Sequence, residues 1–185
     1  TPYEHLMIPV EPVEPPHADD KIQNAMGGGP QLVAQNATIV DWPTEANGDF
    51  IELRPGTNGW TCLTDDPATP TDDPWCVDDR WMEWTRAFLT GADPQIGTLG
   101  IGYMLQGGSS ASNSDPSVLE PPDGEWNIGP PHVMVISPDK LDPSAFDTTP
   151  DSGGAWLMWA GTPYEHLMIP WRQAPSKRES PRPTE

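Results

Sequence analysis

Proline and glycine punctuate this chain densely: 25 prolines and 17 glycines stand among its 185 residues, just below the share that marks low-complexity disorder. Proline removes a backbone donor and glycine raises the entropy cost of ordering, so each interrupts helix or strand. Long loops between the elements are therefore expected. Apolar residues make up only 35% of the chain, yet it holds nine tryptophans, whose large rings can fill a core. That suffices for one compact domain with long loops, and not for two. No apolar run approaches the roughly 20 residues of a spanning helix, so membrane insertion by a helix is excluded. Nine Lys and Arg against 28 Asp and Glu give a net charge of −19, which argues against nucleic acid or anionic lipid as a partner.

Local signals place the elements. Asp19 to Met26 reads as a short helix stopped by Gly27-Gly28-Gly29-Pro30. Strands are expected at Thr38–Trp42, Phe50–Arg54, Trp60–Thr64, Leu99–Leu105, His132–Ser137, Trp156–Ala160 and His166–Ile169, with Asn47-Gly48 as a turn between the first two. Asp73-Pro74 reads as an N-cap followed by a proline at the first helical position. From there a long helix is expected through Trp75, Val77, Trp81, Trp84 and Phe88 to a stop at Gly91. The sum is an α+β fold, a mainly antiparallel sheet of about six or seven strands with one long helix packed on it. It occupies residues 19–171. Residues 1–18 form a proline-rich arm, and 172–185 a disordered basic tail.

The arm begins with a repeat. Thr1 to Pro9 reads TPYEHLMIP, and Thr162 to Pro170 reads the same nine residues again. Two copies do not make a solenoid. An N-terminal copy of a strand could fill the equivalent slot in a neighbouring molecule, giving self-association through Thr1–Pro9; the alternative is a duplicated end without a role.

Cys62 and Cys76 are too few for a structural zinc site and not spaced as CxxC. A disulfide is the simplest reading, two buried thiols the alternative; a disulfide implies a secreted or periplasmic protein. The ordered set NATIVDWP, NGWTCL, PWCVDDRWMEW, IGYMLQGG, PPHVMV and AGTPYEHLM resembles a group of small secreted bacterial proteins with no assigned function, over roughly Asp19 to Trp171. The resemblance implies a signal peptide upstream and a globular domain. It supplies no catalytic residues.

Three constellations could carry chemistry. His132-x-Met134 and His166-x-Met168 each put an imidazole and a thioether on one side of a strand, ligands suited to copper if the strands are neighbours, or simply core filler. Asp65, Asp66 and Asp72 sit in an acid-rich loop that could host calcium, or be a solvated face. Trp126 lies in the long loop 107–131 beside carboxylates and could stack on a glycan or another small molecule. No nucleophile elbow, phosphate loop or zinc-protease motif occurs. The leading expectation is a secreted or periplasmic, non-enzymatic binding protein, metal-associated in one version. A hydrolase using His132 or His166 with Glu165 as an acid–base pair is one alternative, self-assembly through the N-terminal strand the other.

Overall fold

The computed structural model describes residues 17–45 and 48–171. Ten strands follow in chain order: β1 (Thr38–Asp41), β2 (Ile51–Arg54), β3 (Trp60–Leu63), β4 (Trp75–Asp78), β5 (Gly100–Met104), β6 (Gly108–Ser110), β7 (Asn127–Gly129), β8 (His132–Ile136), β9 (Trp156–Met158) and β10 (His166–Pro170). Eight of them form one sheet in the order β2-β1-β3-β4-β5-β8-β10-β9, while β6 and β7 pair separately. Only β1 and β3 run parallel; the other pairs are antiparallel. Three short helices complete the described residues: α1 (Ala18–Gly27), α2 (Gln31–Ala34) and α3 (Asp79–Thr90).

The α+β class and the mostly antiparallel sheet match the sequence expectation, but the sheet is wider than six or seven strands and no helix is long. The expected helix from Asp73 is in fact a strand followed by a helix. Cys76 lies directly opposite Cys62 in the β3–β4 ladder, and the two are joined by a disulfide, which holds 75–78 extended. The helix then starts at Asp79. Its cap is Asp78, whose Oδ1 accepts the amides of Arg80 and Trp81 at 3.0 Å each. The other oxygen of Asp78 accepts Ile101 N at 2.7 Å, which ties the helix start to β5. The stop at Gly91 stands, with φ of 68° in the left-handed region.

Strand alternation sorts the core onto two faces. Ile39, Cys62 and Cys76 belong to one, where they pack with Ala25, Ala34 and Ala37 from the helical segment before the sheet. The glycine run after α1 is fitted to this face: a Cβ on Gly29 would lie 2.7 Å from both Cβ and Sγ of Cys76. On the other face Val40, Leu63, Val77, Met134, Ile136 and Met168 pack with Trp81, Met82 and Trp84 of α3. Two interior glycines of β5 give that face its room. A Cβ on Gly102 would sit 2.8 Å from the Met134 methyl, and one on Gly100 would sit 2.7 Å from Ile136 Cγ1.

The second copy of TPYEHLMIP supplies β10, an interior strand between β8 and β9. Residues 1–16 of the expected arm (the first copy included), the basic tail and Asn47 of the expected turn lie outside the described residues, while Ala18, assigned to the arm, already begins α1. No helix among the described residues is long and apolar enough to cross a membrane.

Candidate functional site

Three rows of side chains cross the α3 face of the sheet, set by register. Gly102, Met134, Met168 and Trp156 stand opposite one another from β5 to β9. Met104 faces His132 on one side of that row, and His166 faces Met158 on the other. Between these rows, α3 and the 107–131 loop lies a cavity of about 290 Å³. Seven of the nine tryptophans line it, as do Phe88 and four methionines, so its walls are overwhelmingly apolar. Engineered cavities of about 150 Å³ already admit benzene.

The long loop closes over this face rather than hanging free. β6 and β7 turn it into a two-stranded flap whose residues Asn113, Pro116, Val118, Leu119 and Trp126 line the cavity. Trp159 locks the flap down: its amide donates to Asn113 O and its indole Nε1 to Ser112 O, both at 2.8 Å. Trp159 holds φ of 54°, a left-handed conformation that costs a bulky residue on the order of 1–3 kcal/mol. In return its ring lies parallel to Trp84 and nearly parallel to Phe88, with Tyr164 perpendicular to the last two.

Both histidines of the expected metal set stand on this wall, with Met134 and Met168 beside them. The strands are indeed neighbours, but their antiparallel register puts His132 opposite Pro170 and Met134 opposite Met168. The imidazoles thus fall at opposite ends of the two-strand ribbon and the four groups do not form one ligand cluster. Each ring is fixed locally. His132 Nδ1 lies 2.6 Å from Pro130 O and His166 Nδ1 2.9 Å from Tyr164 O, so in the neutral ring Nδ1 carries the proton and Nε2 is the acceptor. Burial lowers both pKa values to about 4, against the opposing pull of those carbonyls.

The expected acid–base pair is not formed. Glu165 immediately precedes β10, and it acts on the His166 ring only as a nearby charge, with no hydrogen bond between them among the described residues. Its carboxylate accepts Gly161 N at 2.6 Å and Leu141 N at 3.0 Å, pinning the turn before β10.

The acid loop likewise turns inward on its own backbone. Asp65 accepts Asp73 N, Asp66 accepts Ala68 N, and Asp72 accepts the side-chain amide of Asn24. Among the described residues no group of three or more His, Cys, Asp or Glu could hold a metal ion, so Asp65, Asp66 and Asp72 do not make the expected calcium site. Asp73 instead staples the loop. It accepts Asp66 N, the hydroxyls of Thr69 and Thr71, and Ser109 N of β6. Burial nevertheless raises its pKa to about 6. Asp66 and Asp73 also line the cavity.

Trp126, expected from sequence to meet a small molecule, does line the cavity. The sequence does not single out the rest of the wall, which includes Trp81, Trp84, Trp156, Trp159, Met104 and Met158. The signal that could have found it was available, since paired His-x-Met strands and an unusually long loop both flank one sheet face. Five buried polar atoms have no partner within the described residues, and all five belong to this wall: Nε1 of Trp81, Trp84 and Trp156, Nδ2 of Asn113 and Nε2 of His132. Unmet polar groups are rare and costly, and here they concentrate around one cavity. No protein-family model, no curated protein and no solved structure matches this chain.

Proposed function

We propose that this chain is a non-enzymatic binding protein, working outside the cytoplasm, that holds a compact and largely apolar small molecule between its sheet and the 107–131 flap. The observation that carries the reading is the cavity itself. It has about 290 Å³ of space walled by tryptophan, methionine and two neutral histidines. Ligand sites are typically of this kind, concave and mostly apolar with a few placed polar groups. The strained Trp159 and the partnerless polar atoms support it, because sequences tolerate such local costs chiefly where a site needs them. The Cys62–Cys76 disulfide and the ordered motifs resembling small secreted bacterial proteins support the extracytoplasmic setting.

Intrinsic fluorescence tests the reading, because most of the tryptophans line the site. Titration with a neutral bicyclic probe such as 1-naphthalenemethanol is expected to quench the emission saturably with one-to-one stoichiometry. Trp126→Ala, at the partly exposed flap, is expected to weaken binding about tenfold with an unchanged unfolding midpoint, in line with the loss of one aromatic contact. No saturable signal in the native chain would remove the proposal.

A further inference from the structure

We infer that the ligand of this cavity is an organic cation, a compact ammonium-bearing molecule with an apolar body. The inference rests on the cavity being a binding site and adds the charge of what it binds.

Four features of the wall agree. First, no lysine or arginine lines the cavity, whereas two carboxylates, Asp66 and Asp73, do. The ion pairs found among the described residues, Lys21 with Asp41 and Arg80 with Glu83, involve neither of them. Asp73 is held by amides and hydroxyls with the carboxyl of Asp65 beside it, a surrounding that contains no cation. Its carboxylate borders the space left by Gly108, where a Cβ would lie 3.7 Å from Oδ2 and 2.5 Å from the Met104 methyl. A side chain at Gly108 would fill that gap.

Second, seven tryptophans line the cavity, and the electron-rich face of indole is the best natural partner for a cation. Third, the histidines are neutral, with Nδ1 already spent on a carbonyl, so neither supplies positive charge to an anion. An anion would meet two carboxylates and no counter-charge. A neutral molecule would leave two partly buried carboxylates without a counter-charge, and burial already raises the pKa of both. Fourth, a chain of net charge −19 draws cations toward it over long range.

Three probes of one shape and different charge decide the matter: 1-naphthylmethylammonium, 1-naphthalenemethanol and 1-naphthoate, titrated at neutral pH and low salt. The ammonium is expected to bind about tenfold or more tighter than the alcohol, with the carboxylate weakest. Asp66→Asn keeps an oxygen to accept Ala68 N while removing the charge. It is expected to narrow the preference for ammonium over alcohol several-fold. Asp73→Asn provides a second reading, with circular dichroism as the check that its loop stays folded. If the alcohol binds as tightly as the ammonium, the cation inference fails and the binding cavity stands. If both Asn variants keep the full preference, the carboxylates are not its source and the inference fails as well. If none of the three binds, the cavity reading itself is lost.

Discussion

Acid should destabilise this protein well above the pH at which carboxylates alone would do so. His132 and His166 are buried on neighbouring strands, and burial holds both near pKa 4 against an ordinary 6.5. In the unfolded chain both rings would protonate near 6.5. Between pH 6.5 and 4 the unfolded state therefore binds more protons than the folded one, so stability that is complete above 6.5 is lost as pH falls toward 4. The interval from 6.5 to 4, at about 1.36 kcal/mol per pH unit, amounts to about 3 kcal/mol for each histidine. Asp73 works the other way. Its pKa is raised from 3.8 to about 6, so the folded state takes up a proton first and regains at most about 3 kcal/mol over the same range, less what solvent screens. The histidines win. A net loss of about 3–4 kcal/mol between pH 7 and 4 is a large share of the 5–15 kcal/mol that holds a typical domain. Urea unfolding followed by tryptophan fluorescence and circular dichroism, at half-unit steps from pH 7.5 to 4, measures it. His166→Gln should lower stability at pH 7 yet remove most of the net loss on acidification, since the one remaining histidine is nearly balanced by Asp73. A midpoint that stays constant from pH 7 to 4.5, or a variant with the native slope, would refute the reasoning.

Other perturbations have equally definite expectations. Replacing Cys62 and Cys76 by alanine opens a loop of sequence separation 14 and should cost about 3 kcal/mol in the chain-entropy model, read as a lower urea midpoint; an unchanged midpoint would show the sheet alone fixes this hairpin. Asp78→Ala frees the amides of Arg80, Trp81 and Ile101, so a loss of about 2 kcal/mol or more is expected, and one below about 0.5 would mean the cap is replaced by water. Gly29→Ala drives a methyl to within 2.7 Å of the disulfide and should lower the melting temperature by several degrees, corresponding to about 1–3 kcal/mol; a native melting temperature would show that the glycine run can shift away from β4.

How much of this was legible in the sequence depended on range. Seven strands, α1 and its glycine stop could be placed from local alternation and turn residues, because those signals act within a few positions. The segment 73–91 could not. Asp73-Pro74 is a sound helix start by local rules, and Asp78-Asp79 is as good. The choice between them was made by Cys62, a residue of another strand, whose ladder and disulfide keep Trp75–Asp78 extended. Strands β6 and β7 were hidden for a related reason. GSS and NIG have no apolar alternation, and the flap closes onto the sheet where Gly108 leaves room, a Cβ there lying 2.5 Å from the Met104 methyl.

The candidate site shows the same limit from the side of chemistry. Period two was enough to show that His132 and Met134 share a face, as do His166 and Met168. It could not say in which direction one pair would run past the other. In a parallel ladder both histidines would stand at the same end and four ligands would converge. The antiparallel ladder places Met134 against Met168 and sends the histidines to opposite ends. The same four ligand groups are thereby spread along a wall instead of gathered around a point. A wall of that breadth, roofed by α3 and by a flap that Trp159 bolts down, has the dimensions of a small organic molecule. Register, more than residue type, is what turns this set of side chains from a metal site into a cavity.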